Sequence, residues 1–277
     1  MLYLEANIEV NAEFSEILVA ELAEIGFDTF LENENGLLAY IIEEQFDDIA
    51  FKQIMETYAP KTNLFYSLKK IEKQNWNEEW EKSFDPIKVL DKILVRASFH
   101  ESQPGFEHEI IITPKMSFGT GHHETTSQIM ELQLGVDHKD KSLLDVGTGT
   151  GILAILAEKL GANDIKAFDI DEWSVENTTE NIGLNSCQNI KVSLGTIADE
   201  SPKTYDIVIA NINRNILLDE IAVYTTFMKS EGVLMLSGFY EKDIAEIETC
   251  CEANGLKKIK QISKKEWAAV VFNKPMA

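Results

Sequence analysis

Apolar and polar residues in the first 74 positions alternate between the spacing of strands and the spacing of helices. Four segments alternate apolar and polar residues, and two repeat their apolar residues every three or four positions. The strands are LYLEANIEV, DTFLE, LLAYIIEE and NLFYSLKKI, and the helices are NAEFSEILVAELAEIG and DDIAFKQIMETYA. The Asn-Gly turn signal in NENG joins the second and third strands. The β-α-β-β-α-β order predicts a small ferredoxin-like α+β domain over residues 1–74.

The segment NWNEEWEKSFDPIKV follows this domain and has a different pattern. Trp76 and Trp80 are four positions apart, so on a helix they share one face. We predict a linker helix over residues 75–90, whose two tryptophans either pack on a neighbouring domain or are ordinary core residues. Two further strands, ILVRASF and EIIITPK, then open the second domain, for which we predict the range 91–277.

From residue 123 onward, helical periodicity and short apolar runs alternate regularly. Repeated strand and helix units predict an α/β domain with a doubly wound, mostly parallel sheet and helices on both faces. The last two segments, LKKIKQIS and EWAAVVFNK, read as a hairpin. This hairpin predicts an antiparallel edge at the end of the parallel sheet.

The charge of the chain is strongly acidic and unevenly distributed. There are 25 Lys and Arg against 47 Asp and Glu, a net charge of -22, and residues 1–60 hold 14 acidic residues and one lysine, a net -13. Nucleic-acid binding needs a basic surface, so no direct nucleic-acid site is predicted. The first 60 residues are either an ordinary solvated acidic surface or a surface that recruits a basic protein.

The three cysteines, Cys187, Cys250 and Cys251, show neither zinc spacing nor a disulfide framework, which favours a reducing compartment. The first residues, MLYLEANIEV, lack the basic and apolar regions of a signal peptide, and no apolar run has the length of a membrane span. We therefore expect a cytoplasmic protein without membrane contact. Nothing in the sequence favours a homo-oligomer, so a monomer is expected.

The segment LLDVGTGTGIL places Gly147, Gly149 and Gly151 between a predicted strand and a predicted helix. In a doubly wound sheet, ligands bind at the carboxyl ends of the strands, and glycines allow the backbone to approach them. The spacing departs from Gly-x-Gly-x-x-Gly and lacks Gly-Lys-Ser/Thr, which disfavours NAD and a phosphate loop. Asp169, at the end of the next strand, could accept both hydroxyls of a ribose. A tight turn at the glycines and a helix cap at Asp169 are the simpler alternatives.

Two other segments contain candidate chemistry. In SFGTGHHETT, residues 117–126, the adjacent histidines lack the spacing of a helical zinc pair, so no metal is predicted, and Thr125 or Thr126 could cap a helix. Asn211 ends a predicted strand in ANINR, where its carbonyl could orient an amine; a turn or helix cap is the alternative. No aromatic residue follows it, which argues against a flipped adenine as substrate.

LLDVGTGTGIL together with FDID resembles the glycine-rich motif of class I S-adenosylmethionine methyltransferases. With SFGTGHHETT, IVIANI, NWNEEWEKSFDPI and KKEWAAVVF, the chain resembles the PrmA family of ribosomal protein methyltransferases over nearly its whole length. The resemblance implies a Rossmann-like methyltransferase domain, with S-adenosylmethionine as cofactor and S-adenosylhomocysteine as product. It implies these cofactor-binding residues: Phe118, Thr126, Gly147, Gly149, Asp169 and Asn211.

The implied activity is protein-lysine N-methylation in the cytoplasm. Its substrate would be large-subunit ribosomal protein eleven, free or on the ribosome, methylated on lysine ε-amino groups and the N-terminal α-amino group. Asn211 would position the amine and the methyl group, and no residue is assigned as general base. The acidic domain 1–74 would recognise the substrate. The alternatives are a generic protein or small-molecule N-methyltransferase, a non-catalytic binding protein with the same fold and, less favoured, an NAD-linked enzyme.

Overall fold

The computed structural model describes residues 3–33, 36–71, 85–113 and 121–276. The chain divides into two compact units, Met1–Ser83 and Phe84–Ala277. The predicted domain limits at residues 74 and 91 remain predictions, because the intervening chain lies largely outside the described residues. Trp76 and Trp80 lie there as well. The predicted linker helix over residues 75–90 is wrong at its end, because Ile87–Val89 form a strand.

The first unit has the element order that the hydrophobic pattern predicts. Its strands are β1 Tyr3–Glu9, β2 Thr29–Asn33, β3 Gly36–Ile42 and β4 Phe65–Ile71, and its helices are α1 Ala12–Glu24 and α2 Asp48–Tyr58. The sheet is antiparallel in the order β2-β3-β1-β4. Leu4, Ala6 and Ile8 of β1 alternate onto the buried face with Leu18 and Leu22 of α1. This unit therefore has a hydrophobic core of its own.

The second unit begins with a small three-stranded sheet. It consists of β5 Ile87–Val89, β6 Ile93–Ala97 and β7 His108–Ile112. β5 pairs antiparallel with β6, and β6 pairs parallel with β7. β7 has one sheet neighbour among the described residues, and its other edge is hydrogen-bonded by side chains from a later part of the same unit.

The main sheet of the second unit has seven strands in the order β10-β9-β8-β11-β12-β14-β13. Its strands are β8 Ser142–Val146, β9 Asp164–Asp169, β10 Ile190–Leu194, β11 Tyr205–Asn211, β12 Met228–Tyr240, β13 Lys257–Lys264 and β14 Trp267–Asn273. The helices are α3 Glu124–Gln133, α4 Ile152–Lys159, α5 Glu172–Leu184, α6 Arg214–Thr226 and α7 Ile244–Ala253. β8 to β12 are parallel, and β14 pairs antiparallel with β12 and β13. The predicted doubly wound sheet with an antiparallel edge is confirmed.

The central strand β8 is buried on both faces. Leu143 belongs to one apolar cluster and Leu144 to the cluster on the opposite face. The chain proceeds from β8 outward to β9 and β10, and then returns to place β11 on the other side of β8. The strand order therefore reverses between β8 and β11, and the carboxyl ends of these strands form the crevice where doubly wound folds bind ligands. No helix among the described residues is long and apolar enough to cross a membrane.

Candidate active site

The glycine loop, residues 147–151, connects β8 to α4 at this crevice. The N–H groups of Gly147 and Thr148 both donate to the carbonyl of Phe168 in β9, each at 3.0 Å. Gly147 has a φ of +67°, and a Cβ on it would lie 2.4 Å from the Cγ2 of Ile212. Glycine at this position is thus required both by the left-handed backbone and by the close approach of the turn after β11.

Asp145 lies directly beneath the glycine loop. Its Oδ2 accepts a hydrogen bond from Thr148 Oγ1 at 2.7 Å, and its Oδ1 has no hydrogen-bond partner among the described residues. The pKa of this carboxyl is raised to about 7, because burial and, to a lesser extent, the negative charge of Asp169 outweigh the opposing effect of the Thr148 hydrogen bond. An acid inside an apolar strand is visible in LLDVG, but the sequence alone does not show this burial.

Asp169 ends β9 and contacts the glycine loop. Its Oδ2 accepts from the N–H of Gly149 at 2.9 Å, and its Oδ1 accepts from the N–H of Asp171 at 3.1 Å. The helix cap of α5 is Asp171, whose side chain accepts from Trp173 N at 3.0 Å. The alternative that Asp169 caps this helix is therefore wrong. The carboxylate of Asp169 is half-buried, and the loop fixes its orientation.

Asn211 ends β11 on the other side of the crevice and contacts α3. Its Nδ2 donates to Thr126 Oγ1 at 3.3 Å, which connects two predicted site residues that are far apart in the sequence. The cap of α6 is Asn213, whose side chain accepts from Asn215 N at 2.9 Å. The cap of α3 is His123. The alternatives that assign Asn211 or the threonines as helix caps are wrong.

The turn after Asn211 lies between two glycines. Gly147 faces the side chain of Ile212, and Gly238 in β12 faces its backbone. Gly238 has a φ of +97°, and a Cβ on it would lie 2.0 Å from the carbonyl oxygen of Ile212. Sequence reasoning missed Gly238, because the segment LSGF contains no sign that another backbone passes so close.

Three aromatic rings lie at the same edge of the sheet. The rings of His123 and Trp267 have centroids 4.6 Å apart, and the rings of Trp267 and Tyr240 stack at 4.3 Å. The carbonyl of Trp267 accepts from Gln128 Nε2 at 2.9 Å, which joins the start of β14 to α3. The helix α3 therefore contacts both Trp267 and Asn211, through Gln128 and Thr126 respectively. Sequence reasoning did not predict that the three rings meet, since they come from three distant segments.

The remaining predicted residues are placed as follows. Phe118 lies outside the described residues. His122 Nε2 lies 3.1 Å from the carbonyl oxygen of Asp85, and His123 Nδ1 lies 2.7 Å from Thr125 Oγ1. In the part of the chain that the structure describes, no group of three or more His, Cys, Asp or Glu side chains is arranged to hold a metal ion.

Comparisons with known proteins give a consistent result. The family model described as Ribosomal protein L11 methyltransferase (PrmA) matches residues 9–275. The ribosomal protein L11 methyltransferase of Phocaeicola vulgatus is 44% identical, over 98% of this chain and 99% of its own. The protein of that name from Porphyromonas gingivalis is 46% identical, over 93% of this chain and 90% of its own. The crystal structure of ribosomal protein L11 methylase from Lactobacillus delbrueckii subsp. bulgaricus aligns with a TM-score of 0.65 and 27% identity, covering 70% of this chain and 100% of that chain.

Proposed function

The chain belongs to the ribosomal protein L11 methyltransferase (PrmA) family, and on this premise we propose that it methylates L11. Methyl groups pass from S-adenosylmethionine to lysine ε-amino groups and to the N-terminal α-amino group. The observation that carries the proposal is the arrangement at the carboxyl ends of β8, β9 and β11. There Asp169 is bonded to the glycine loop, and Asn211 is bonded to Thr126 across the crevice.

The residues at this edge fit S-adenosylmethionine, which supplies a methyl group on a positively charged sulfur. Each carboxylate oxygen of Asp169 accepts one hydrogen bond from the protein, which leaves lone pairs for the two ribose hydroxyls. The same negative charge disfavours the 2′-phosphate of NADP. Gly147 lacks the Cβ that would crowd the turn after β11, so the backbone on both sides of the crevice stays in place. Gly149, Thr126 and Phe118 complete the proposed cofactor set.

We assign the positioning of the acceptor nitrogen to Asn211. Its Nδ2 donates to Thr126, so Oδ1 is the atom that can accept a hydrogen bond from the incoming amine. The amine must be neutral to attack, whereas a lysine in water has a pKa of about 10.4. Loss of water around the amine on binding would lower that pKa. Most of the acceleration then comes from orientation and exclusion of water, with no general base assigned.

The first unit is proposed to recognise the substrate. Residues 1–60 carry a net charge of -13, which suits a basic ribosomal protein that reaches the enzyme free or on the ribosome. The two-unit division is compatible with one fixed cofactor site that serves several amines of the same substrate. We further propose that the protein acts as a cytoplasmic monomer without a nucleic-acid site of its own.

The decisive experiment is intact-protein mass spectrometry of unmethylated L11 incubated with the enzyme and S-adenosylmethionine. We expect stepwise addition of methyl masses by the wild-type chain and none by Asp169→Ala, with cofactor affinity lowered about tenfold or more because a charge-assisted contact is lost. Asp171→Ala is the matched control, because it removes an acid two residues away that only caps α5.

Each failure of this experiment has a distinct meaning. Tight cofactor binding without methyl addition would retain the methyltransferase site but reject L11 as substrate. Absence of cofactor binding by the wild-type chain would reject the proposed site itself and favour the alternative of a non-catalytic binding protein. Equal loss of activity in Asp169→Ala and Asp171→Ala would reject the specific role of Asp169.

A further inference from the structure

The inward face of α5 is polar although it is completely buried. Asn177, Thr178 and Asn181 have no measurable exposure to solvent. Buried amides and hydroxyls destabilise a fold unless their hydrogen bonds are made, so each of these side chains needs partners inside the protein. The partners come from two separate segments of the backbone, and neither segment belongs to α5.

The first segment is the glycine loop. Thr178 Oγ1 donates to the carbonyl of Gly149 at 2.8 Å, and Asn181 Nδ2 donates to the carbonyl of Thr150 at 2.8 Å. These two carbonyls are consecutive, so α5 fixes the plane of the peptide that joins them. The N–H of Gly149 is in turn the group that holds Asp169. The orientation of the proposed ribose acceptor therefore depends on where α5 holds the loop.

The second segment is the end of β7. Asn181 Oδ1 accepts from the N–H of Thr113 at 2.8 Å, and Asn177 Nδ2 donates to the carbonyl of Thr113 at 3.2 Å. The two asparagines are also bonded to each other at 3.0 Å. Thr113 is the last described residue before the chain continues to α3, where Thr126 contacts Asn211. One side chain, Asn181, thus connects the glycine loop to the end of β7.

We propose that Asn181 is a positioning residue that fixes the separation between the glycine loop and the end of β7 at Thr113. This inference depends on the proposed S-adenosylmethionine site. A single amide suits the task because it accepts from one segment and donates to the other in one plane. Asn181 touches no reacting atom, and it acts by holding the glycine loop at a constant distance from the end of β7.

Asn185, the residue that follows the last turn of α5, provides a matched control. Its side chain also binds β7, accepting from the N–H of Ile111 at 2.9 Å and donating to its carbonyl at 2.6 Å. It makes no bond to the glycine loop among the described residues. Replacing Asn185 by alanine therefore removes comparable hydrogen bonds between α5 and β7 without freeing the loop.

The test compares the full-length wild-type chain, Asn181→Ala and Asn185→Ala by calorimetric titration with S-adenosylhomocysteine, together with thermal unfolding. Both variants should unfold at lower temperature than the wild type. Only Asn181→Ala should bind S-adenosylhomocysteine more weakly, by about tenfold or more, because the buried groups that align the glycine loop lose their hydrogen-bond partner. Equal affinity in the two variants would overturn the proposal, whereas no binding by the wild type would instead reject the proposed cofactor site.

Asn181→Asp supplies a second readout. At neutral pH the new carboxylate still accepts from the N–H of Thr113. Its second oxygen replaces the amide donor, so two acceptors face each other at the carbonyl of Thr150 and the affinity for S-adenosylhomocysteine should fall. When the carboxyl is protonated it can donate to that carbonyl again. Its affinity relative to the wild type at the same pH should therefore recover as the pH falls. A pH-independent ratio in a folded Asn181→Asp chain would contradict a role in aligning the loop, even if Asn181→Ala does not fold.

Discussion

Replacing Gly238 by alanine should displace the turn that carries Asn211. The added Cβ would lie 2.0 Å from the carbonyl oxygen and 2.7 Å from the carbonyl carbon of Ile212. Both are backbone atoms, so no side-chain rotation can relieve the contact. The turn after β11 or the end of β12 has to move.

The structure sets the size of this movement. Real Cβ contacts essentially never fall under 3.0 Å, so an atom now at 2.0 Å must withdraw by about 1 Å. The bond between Asn211 and Thr126 measures 3.3 Å and tolerates a lengthening of only a few tenths of an ångström. A misplacement of about 1 Å at a reacting group can lower the rate about 100-fold. The left-handed φ adds about 1–2 kcal/mol of destabilisation.

The assay is single-turnover methyl transfer to L11 at saturating S-adenosylmethionine, with unfolding followed in parallel. We expect the rate to fall about 100-fold and cofactor affinity to fall less, because Asn211 is one of several proposed cofactor contacts. Gly105→Ala is the matched control: Gly105 has a φ of +102°, and a Cβ on it meets nothing within 4 Å. It should lose stability from backbone strain alone and keep the wild-type rate. Equal rates for the two variants would refute the assignment of Asn211 as a positioning group dependent on this turn.

Two further predictions concern pH and the first unit. Burial raises the pKa of Asp145 from an ordinary 3.8 to about 7, so between these pH values the folded chain holds a proton that the unfolded chain releases. The stabilisation from this proton is fully present below pH 3.8 and is lost as the pH rises through about 7. Asp145→Asn should flatten that decline in urea unfolding, and an unchanged pH profile would contradict the burial argument. Deletion of residues 1–74 should leave S-adenosylmethionine affinity intact in calorimetry and abolish methylation of L11, whereas full activity of the shortened chain would remove the recognition role from the first unit.

Periodicity alone predicts most of the fold, because each helix or strand buries one face or both. Its failures occur where distant pairing overrides the local pattern. The helical pattern in ILLDEIAVYTTFMK extends through Lys229, yet α6 ends at Thr226 and Met228 begins β12 opposite Tyr205. β5 was missed because three residues, Ile87–Val89, are too few to show alternation.

The candidate site was predictable only in part, because some of its contacts also join segments that are distant in the sequence. Gly147, Asp169 and Asn211 lie at strand ends, where topology concentrates ligand groups, so motif and order together point to them. Gly238 and Asn181 depend instead on which backbone passes beside them. Asn181 and Thr113 are 68 positions apart, and no local pattern in the sequence predicts their contact.

The antiparallel edge of the main sheet has a consequence for chain synthesis. β14 is inserted between β12 and β13, so β13 has no place in the sheet until the residues from Trp267 onward have emerged from the ribosome. The same strand accepts a hydrogen bond from Ser237 at 2.7 Å and contributes Trp267 to the aromatic group. A nascent chain stopped short of β14 therefore contains the segments of the glycine loop and Asp169 but leaves the outer edge of β12 unpaired. The antiparallel edge and the stacking of Trp267 on Tyr240 can form only after that strand has been synthesised.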